Sequence, residues 1–588
     1  MKNRSIYRLR AAQITLSVFA GATLVSCTAG PPPADTVITN AFVYTVDADQ
    51  PDAEAVAVRD GEIVFVGSAS GAKSFIDSET EVVDANGRMV MPGLIDAHVH
   101  PSGGGAGLNS CSLDYAQLTV EETLEVVQGC LDSGTGIIGE GDSRWLMVKY
   151  WDLQGLKPTG TVMTKSDLDQ LDAVGTAVVL TATDGHNHVV NSKALELAGV
   201  DKNTPDPETG RIERDADGEP TGYFSDAGKV VTMHAPEKST EEQTSDLKAG
   251  LRALNEVGVT AIYGNAGGLE QYNILQDEGS LTTRVSAAPT VTAEQLRASD
   301  LSELIEYLDE QKDLYDDGNV HVNTVGEILV DGVMEFPAFT AANLDPYLED
   351  VNGAWQPTTN TGPTYFEGES LNDLVIALDA AGWNSHFHTV GDRAVRQVID
   401  AVEAAREVNG ETGTSFSTSH NQLVDPSDIP RFVDLGVTAS FSPQWAQRDA
   451  YTVDNLANYI GPERANRLYP FGQLYEAGVN VSTGSDWPVD ELSPWRMVEQ
   501  AVTRTGAVGF DGHPGVLAED QTVTLEQSIE MITKNAAKQI GMWDEIGSIS
   551  VGKRADMLIL DQNLFEIPAG EIHATNPTHV YFDGVDVL

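Results

Sequence analysis

Met91-Pro-Gly-Leu-Ile-Asp-Ala-His-Val-His-Pro101 decides how the rest of the 588-residue chain is read. Leu94, Ile95 and Ala97 make a short apolar run that reads as a buried strand, and alternation along a strand turns His98 and His100 to the same side. Two imidazoles then converge on one point, and imidazole is the commonest side-chain ligand for zinc-like cations. A Pro-Gly-rich loop follows, with Pro101, Gly103, Gly104 and Gly105, and leaves such a site open to substrate. A His-x-His pair alone arises readily by chance. The flanking Pro-Gly-Leu-Ile-Asp-Ala lifts this one above that background.

Before Met91, residues 36–90 alternate short β-branched runs (Thr36-Val-Ile-Thr, Ala41-Phe-Val-Tyr-Thr-Val, Glu62-Ile-Val-Phe-Val) with turns such as Arg59-Asp60-Gly61. The same pattern returns at the far end, in Ala555-Asp-Met-Leu-Ile-Leu-Asp and His579-Val-Tyr-Phe-Asp-Gly. The expectation is one composite β-sandwich built from 36–90 and 546–588, with residues 91–545 inserted in it.

Within the insert, eight apolar runs alternate with helical stretches: Leu94 to His100, Gly258 to Gly264, Arg284 to Thr290, Val322 to Val330, Trp383 to His388, Ser415 to His420, Gly436 to Ser442 and Gly478 to Asp486. Eight alternating units are the number that closes a (β/α)8 TIM barrel, so the fold class is α/β. The interval from about 103 to 250 exceeds one helix and should hold an inserted lobe over the catalytic face.

With 89 acidic against 35 basic residues and a formal charge of −54, the chain repels nucleic acid and anionic membrane surfaces. The acid is spread along the sequence, which reads as a heavily hydrated surface. Residues 1–26 read as a signal peptide: Lys2, Arg4, Arg8 and Arg10 precede an apolar run from Ala11 to Val25 that is short for a membrane span. Leu24-Val-Ser-Cys27 is similar to a lipoprotein box, which implies acylation of Cys27 and a cell-envelope location, with 27–35 as a Pro-rich tether; a plain secretory signal is the alternative. Either route exports Cys111 and Cys130 to an oxidising compartment, where they form a disulfide or remain two buried thiols.

In a TIM barrel the chemistry sits where strands end. Strand one ends in His98 and His100, strand five in His386-Phe-His388-Thr-Val-Gly-Asp392-Arg-Ala, strand six in Ser419-His420-Asn-Gln, and strand eight in Ser482-Thr-Gly-Ser-Asp486-Trp-Pro. Four strands thus deliver histidines and an aspartate to one mouth, the donor set of a metal site. Strand four contributes Glu327-Ile-Leu-Val-Asp331-Gly332, and the lobe contributes Thr183-Asp-Gly-His186-Asn-His188-Val-Val-Asn191-Ser-Lys.

In these motifs the chain resembles the amidohydrolase superfamily of metal-dependent hydrolases, amidohydrolase family 3, and within it the N-substituted formamide deformylase branch. Gly218-Glu-Pro-Thr-Gly222, Asp331-Gly332 followed by Thr340-Ala341, and Gly552-Lys-Arg-Ala-Asp556 extend the match over nearly the whole sequence after the tether. The resemblance implies hydrolysis of a non-peptide or small-peptide amide-type C–N bond through metal-activated hydroxide. It implies two divalent ions, Zn foremost with Mn, Fe or Co as other candidates, held by His98, His100, Glu327, His388, His420 and Asp486. His388 fits the pattern of a histidine three residues before Gly-Asp-Arg-Ala, which leaves His386 as an inner neighbour or core residue. Many relatives carry a carboxylated lysine on strand four; here Glu327 stands in its place, and no lysine occurs between Lys312 and Lys534. Glu327 has the same charge and two oxygens, so it either bridges two ions or binds one.

On the same resemblance Asp486 is the proton shuttle, and His186 is a hydrogen-bond donor to the substrate carbonyl or oxyanion. Asp96 shares a face with His98 and is a candidate to hold a ligand imidazole. Trp445, Trp487 and Trp495 could line an apolar substrate pocket. The expected partner is a small amide-type molecule, with no nucleic acid and no membrane contact beyond the Cys27 anchor; assembly into a homo-oligomer is compatible with the sequence. Two other readings stay open: a mononuclear deaminase of an amidine or aminated heterocycle, with Glu327 as acid and base, and a solute- or metal-binding lipoprotein without catalysis.

Overall fold

The computed structural model describes residues 31–588 except 154, 159, 184, 208, 209, 266, 337, 450 and 507–512. The expected signal segment and Cys27 lie outside the described residues. Among the described residues no helix is long and apolar enough to cross a membrane.

The two ends of the chain meet in one sheet. Asp52–Ala53, Phe42–Tyr44 and Met89–Pro92 from the N-terminal region continue into Met557–Leu560, Pro577–Phe582 and Val585–Asp586, with Val90 opposite Ile559. A second sheet holds Thr36–Thr39, Ala55–Arg59, Glu62–Gly67 and Glu81–Asp84. Ile38, Val43, Val56, Val90, Met557 and Ile559 pack together in one apolar cluster that draws on both sheets. Asp60 and Gly61 turn the chain between Arg59 and Glu62 with φ of 52° and 75°, the left-handed pair that a tight hairpin requires.

Each of the eight segments expected to be extended contains a strand: β1 Leu94–Val99, β2 Val259–Gly264, β3 Arg284–Ala287, β4 Thr324–Leu329, β5 Asn384–Thr389, β6 Phe416–His420, β7 Thr438–Phe441 and β8 Val481–Thr483. Every hydrogen-bonded pair among them is parallel, with β1 to β3 in one sheet and β4 to β8 in another, each in chain order. The last strand comes back to the first: Asp486 N donates to His98 O at 2.8 Å and His100 N to Trp487 O at 2.9 Å. Gly484 makes this approach feasible, because a Cβ there would lie 2.4 Å from His98 Cβ. The intervening helices bury one face each. In Asp392–Asn409 the buried Val395, Val398, Ile399, Val402 and Ala405 repeat at helical spacing.

Arg284, at the start of β3 and only 4% exposed, ties this sheet to the C-terminal segment. Its Nε donates to Asp556 at 2.7 Å and its Nη2 to Asp583.

The expected loop at Gly103 to Gly105 is a helix, Pro101–Leu108. Four of its eight residues are glycine, a composition with poor intrinsic helix propensity, so packing must form it. Helix Thr240–Glu256 lies so close that a Cβ on Gly105 would meet Asp246 O at 1.7 Å, and one on Gly250 would meet Pro101 O at 2.1 Å. Tertiary contact here overrides local preference.

The lobe follows. Its sheet combines Cys111–Ser112, Ile137–Ile138, Arg144–Trp151, Thr176–Ala182, Asn187–Val190, Arg211–Arg214 and Pro220–Ser225. A disulfide joins Cys111 on this sheet to Cys130 in helix Val120–Ser133, 19 residues apart. Closing a loop of that length restricts the unfolded chain by about 3 kcal/mol. A Cys111→Ser, Cys130→Ser double variant is therefore expected to lose about 3 kcal/mol of lobe stability, read by chemical unfolding; an unchanged midpoint would contradict this.

Candidate metal centre

The ends of β1, β4, β6 and β8 bring five side chains within mutual reach. His98 Nε2 lies 3.2 Å and His100 Nε2 3.1 Å from Asp486 Oδ1. Glu327 Oε1 lies 3.1 Å from His420 Nε2 and 3.6 Å from His98 Nε2, while its Oε2 is 3.9 Å from His100 Nε2. Two triads result, His98–Glu327–His420 and His98–His100–Asp486, with the donor atoms of each within 4.8 Å of one another. His388 belongs to neither triad, but its ring lies edge-on to that of His420 at 4.6 Å.

Their placement is local in origin. Glu327 sits within β4, His420 closes β6, Asp486 follows β8, and His100 caps the helix that succeeds β1. His420 and Asp486 have φ of 68° and 56°, a left-handed backbone unusual for such residues and characteristic of functional positions.

The centre is electrostatically polarised. Burial raises the Glu327 carboxyl, but the charges of His98, His388 and His420 and the hydrogen bond from His420 outweigh it and hold it well below the usual range. Burial acts on Asp486 in the same way, and the neighbouring His98 and His100 again win, so both carboxylates are ionised. Asp486 Oδ1 and the Nδ1 atoms of His388 and His420 are buried without a hydrogen bond. Nitrogen and carboxylate donors with lone pairs left unsatisfied at this spacing fit a divalent cation.

Neighbouring residues brace these groups. His386 Nε2 is 2.7 Å from His98 Nδ1, and its own Nδ1 is 2.7 Å from Ser417 Oγ. Burial, reinforced by the charge of His98, keeps His386 well below its usual pKa, so its ring is neutral. Asn265 Nδ2 also approaches His98 at 3.1 Å.

Asp331 Oδ1 lies 3.4 Å from His388 Nδ1, an ionic approach without hydrogen-bond geometry, and its carboxylate also accepts from the backbone of Ala342, Val390 and Gly391. Asp96 does not hold an imidazole as expected. It accepts from Ser485 N at 2.9 Å and His98 N at 3.3 Å, so it fixes the backbone beside Asp486. Burial pushes its carboxyl up to about 6.

The lobe reaches the same mouth. The His186 ring is 5.7 Å from that of His388, and its Nδ1 pairs with Asp226. Burial raises the Asp226 carboxyl, but hydrogen bonding and charge from His186 bring it below its ordinary value. Of the three tryptophans only Trp445 is placed at the centre, stacked 5.7 Å from the His420 ring. Trp487 and Trp495 are core residues, each 3% exposed.

The motifs of the sequence did not point to Asp226, Asn265 or the His98–His386 contact. Asp331 lay within a quoted motif without a role.

A parallel α/β scaffold thus groups buried imidazoles and carboxylates at its strand ends, a donor set suited to a divalent metal ion. The chain belongs to the amidohydrolase family, whose model matches residues 81–588, and is an enzyme of that family. It is 28% identical over 566 residues to the N-substituted formamide deformylase of Arthrobacter pascens, a match covering 94% of this chain and 98% of that one. It is 29% identical to Protein LONG AFTER FAR-RED 3 of Arabidopsis thaliana, covering 92% and 90%. The crystal structure of an uncharacterized metal-dependent hydrolase from Pyrococcus horikoshii OT3 superposes with a TM-score of 0.68 at 22% identity, covering 91% of this chain and 99% of that one.

Proposed function

We propose that this chain hydrolyses an amide-type C–N bond in a small non-peptide or small-peptide substrate at a centre for two divalent ions. The observation that carries the proposal is the grouping of His98, His100, Glu327, His420 and Asp486, with buried lone pairs that nothing among the described residues satisfies.

His98, His100, Glu327, His388, His420 and Asp486 would hold the ions, with zinc the first candidate. When bound, such ions lower the pKa of coordinated water and polarise a carbonyl. Glu327 supplies the negative charge of the strand-four position, and its two oxygens face different histidines, Oε1 toward His420 and Oε2 toward His100. Asp486, ionised and beside His98 and His100, takes the proton of the attacking water and passes it to the departing nitrogen. His186, held by Asp226, donates to the carbonyl oxygen as negative charge develops on it.

We read the two parallel sheets as arcs of one (β/α)8 barrel, supported by the hydrogen bonds that join the end of β8 to the end of β1. The composite sandwich of residues 36–90 and 546–588 is read as the scaffold that carries it. Export with a lipid on Cys27 is supported by the charged N-terminal segment and the Leu24-Val-Ser-Cys27 box. The Cys111–Cys130 disulfide agrees with export.

The activity is tested by presenting N-formyl, N-acyl, dipeptide and lactam substrates to metal-loaded protein. Turnover of at least one class, abolished by a chelator and restored by added metal, is expected. Chelator-insensitive turnover would contradict the proposal.

A further inference from the structure

The loop after β4 carries a second carboxylate whose surroundings leave it incomplete. Glu335 Oε1 accepts hydrogen bonds from the Tyr451 hydroxyl and, at 3.3 Å, from Gln422 Nε2. Its Oε2 is buried with no hydrogen-bond partner, and so is Oε1 of Gln422, a side chain only 4% exposed. Among the described residues no Lys, Arg or His forms an ion pair with Glu335. The buried Tyr469 hydroxyl feels the same charge: burial first, and then Glu335, push it well above its usual pKa.

The chain links this cluster closely to the metal centre. Gln422 follows His420 by two residues, and Glu335 follows the bracing Asp331 by four. Two buried acceptor atoms without a hydrogen-bond donor among the described residues, one of them on a carboxylate without a paired cation, are costly to leave unpartnered. An ammonium or amidinium group answers both deficits, since it brings several N–H donors and one positive charge.

We propose that Glu335, with Gln422 and Tyr451, forms a subsite for a cationic group of the substrate, so that the preferred amides carry an ammonium or amidinium away from the scissile bond. The inference rests on the hydrolase reading of the adjacent centre and names its substrate class.

The test compares a matched pair on metal-loaded enzyme, an N-acyl-n-hexylamine and the mono-N-acyl derivative of 1,6-diaminohexane, with the acyl group that the enzyme hydrolyses best. The cationic member is expected to show a kcat/KM on the order of tenfold higher or more, and Glu335→Gln to bring the ratio close to one, while Glu335→Asp keeps part of it. A ratio near one in the native enzyme, or a ratio that Glu335→Gln leaves unchanged, overturns the proposal. If the variants do not fold, the native ratio decides.

If none of the N-formyl, N-acyl, dipeptide and lactam classes is hydrolysed, the hydrolase reading fails separately. The subsite is then judged by calorimetry on the same protein. Binding of n-hexylammonium on the order of tenfold tighter than hexan-1-ol supports it, and equal binding overturns it.

Discussion

Asp486→Asn is expected to lower kcat for amide hydrolysis by about 10³-fold, the size of effect associated with a positioned acid–base group. Asparagine keeps the shape and one oxygen but cannot accept a proton. The carboxylate it replaces faces His98 at 3.2 Å and His100 at 3.1 Å, with Oδ1 buried and not hydrogen-bonded.

Because the neighbouring imidazoles hold Asp486 below the usual carboxylate range, it is already the ionised base throughout neutral pH. The sign of the pH effect follows. A depressed carboxyl loses its function only when pH falls through its folded pKa, so the deficit of the variant should be the same at about pH 6 as at about pH 8. Steady-state rates at the two values check this. Full activity in Asp486→Asn would remove the proton shuttle from the account.

The second large effect concerns stability. Arg284→Met should destabilise the protein by about 3–5 kcal/mol, the cost of stranding buried charge by removing one partner. Methionine retains the packing of the arginine stem, so the loss reports the guanidinium. Asp556 is 5% exposed and loses its 2.7 Å ion pair, while Asp583 keeps Arg554. The interaction spans 272 residues and joins β3 to the C-terminal segment, so separation of that segment should accompany the loss. Urea unfolding followed by tryptophan fluorescence measures it. A change below about 1 kcal/mol would show that packing alone holds the segment.

Much of this architecture is legible in the sequence because its signals are local. Strands such as β1 and β2 are short, largely apolar runs preceded by a glycine, and the eight strands alternate with helices, of which Asp392–Asn409 is amphipathic. The histidines and carboxylates are equally visible, since His98, Glu327 and His420 lie in their strands and His100 and Asp486 just beyond the ends of theirs. What escaped depends on distance along the chain. Asp226 meets His186 across 40 residues, and His386 meets His98 across 288. Asp96 was misread for the same reason: alternation gives the face of its side chain, but the donor it meets is the amide of Ser485, 389 residues away. Helix Pro101–Leu108 escaped because its glycines follow close packing against Thr240–Glu256, which no local propensity encodes.

Glu327 remains the residue on which the centre turns. The most direct measurement is metal content and activity together, taken on chelated protein titrated with zinc, in the native chain and in Glu327→Gln. Two equivalents per chain at full activity, with loss of at least one equivalent and most of the turnover in Glu327→Gln, are predicted. Full activity at one equivalent, with Glu327→Gln binding metal normally, would contradict the two-ion centre built around this glutamate.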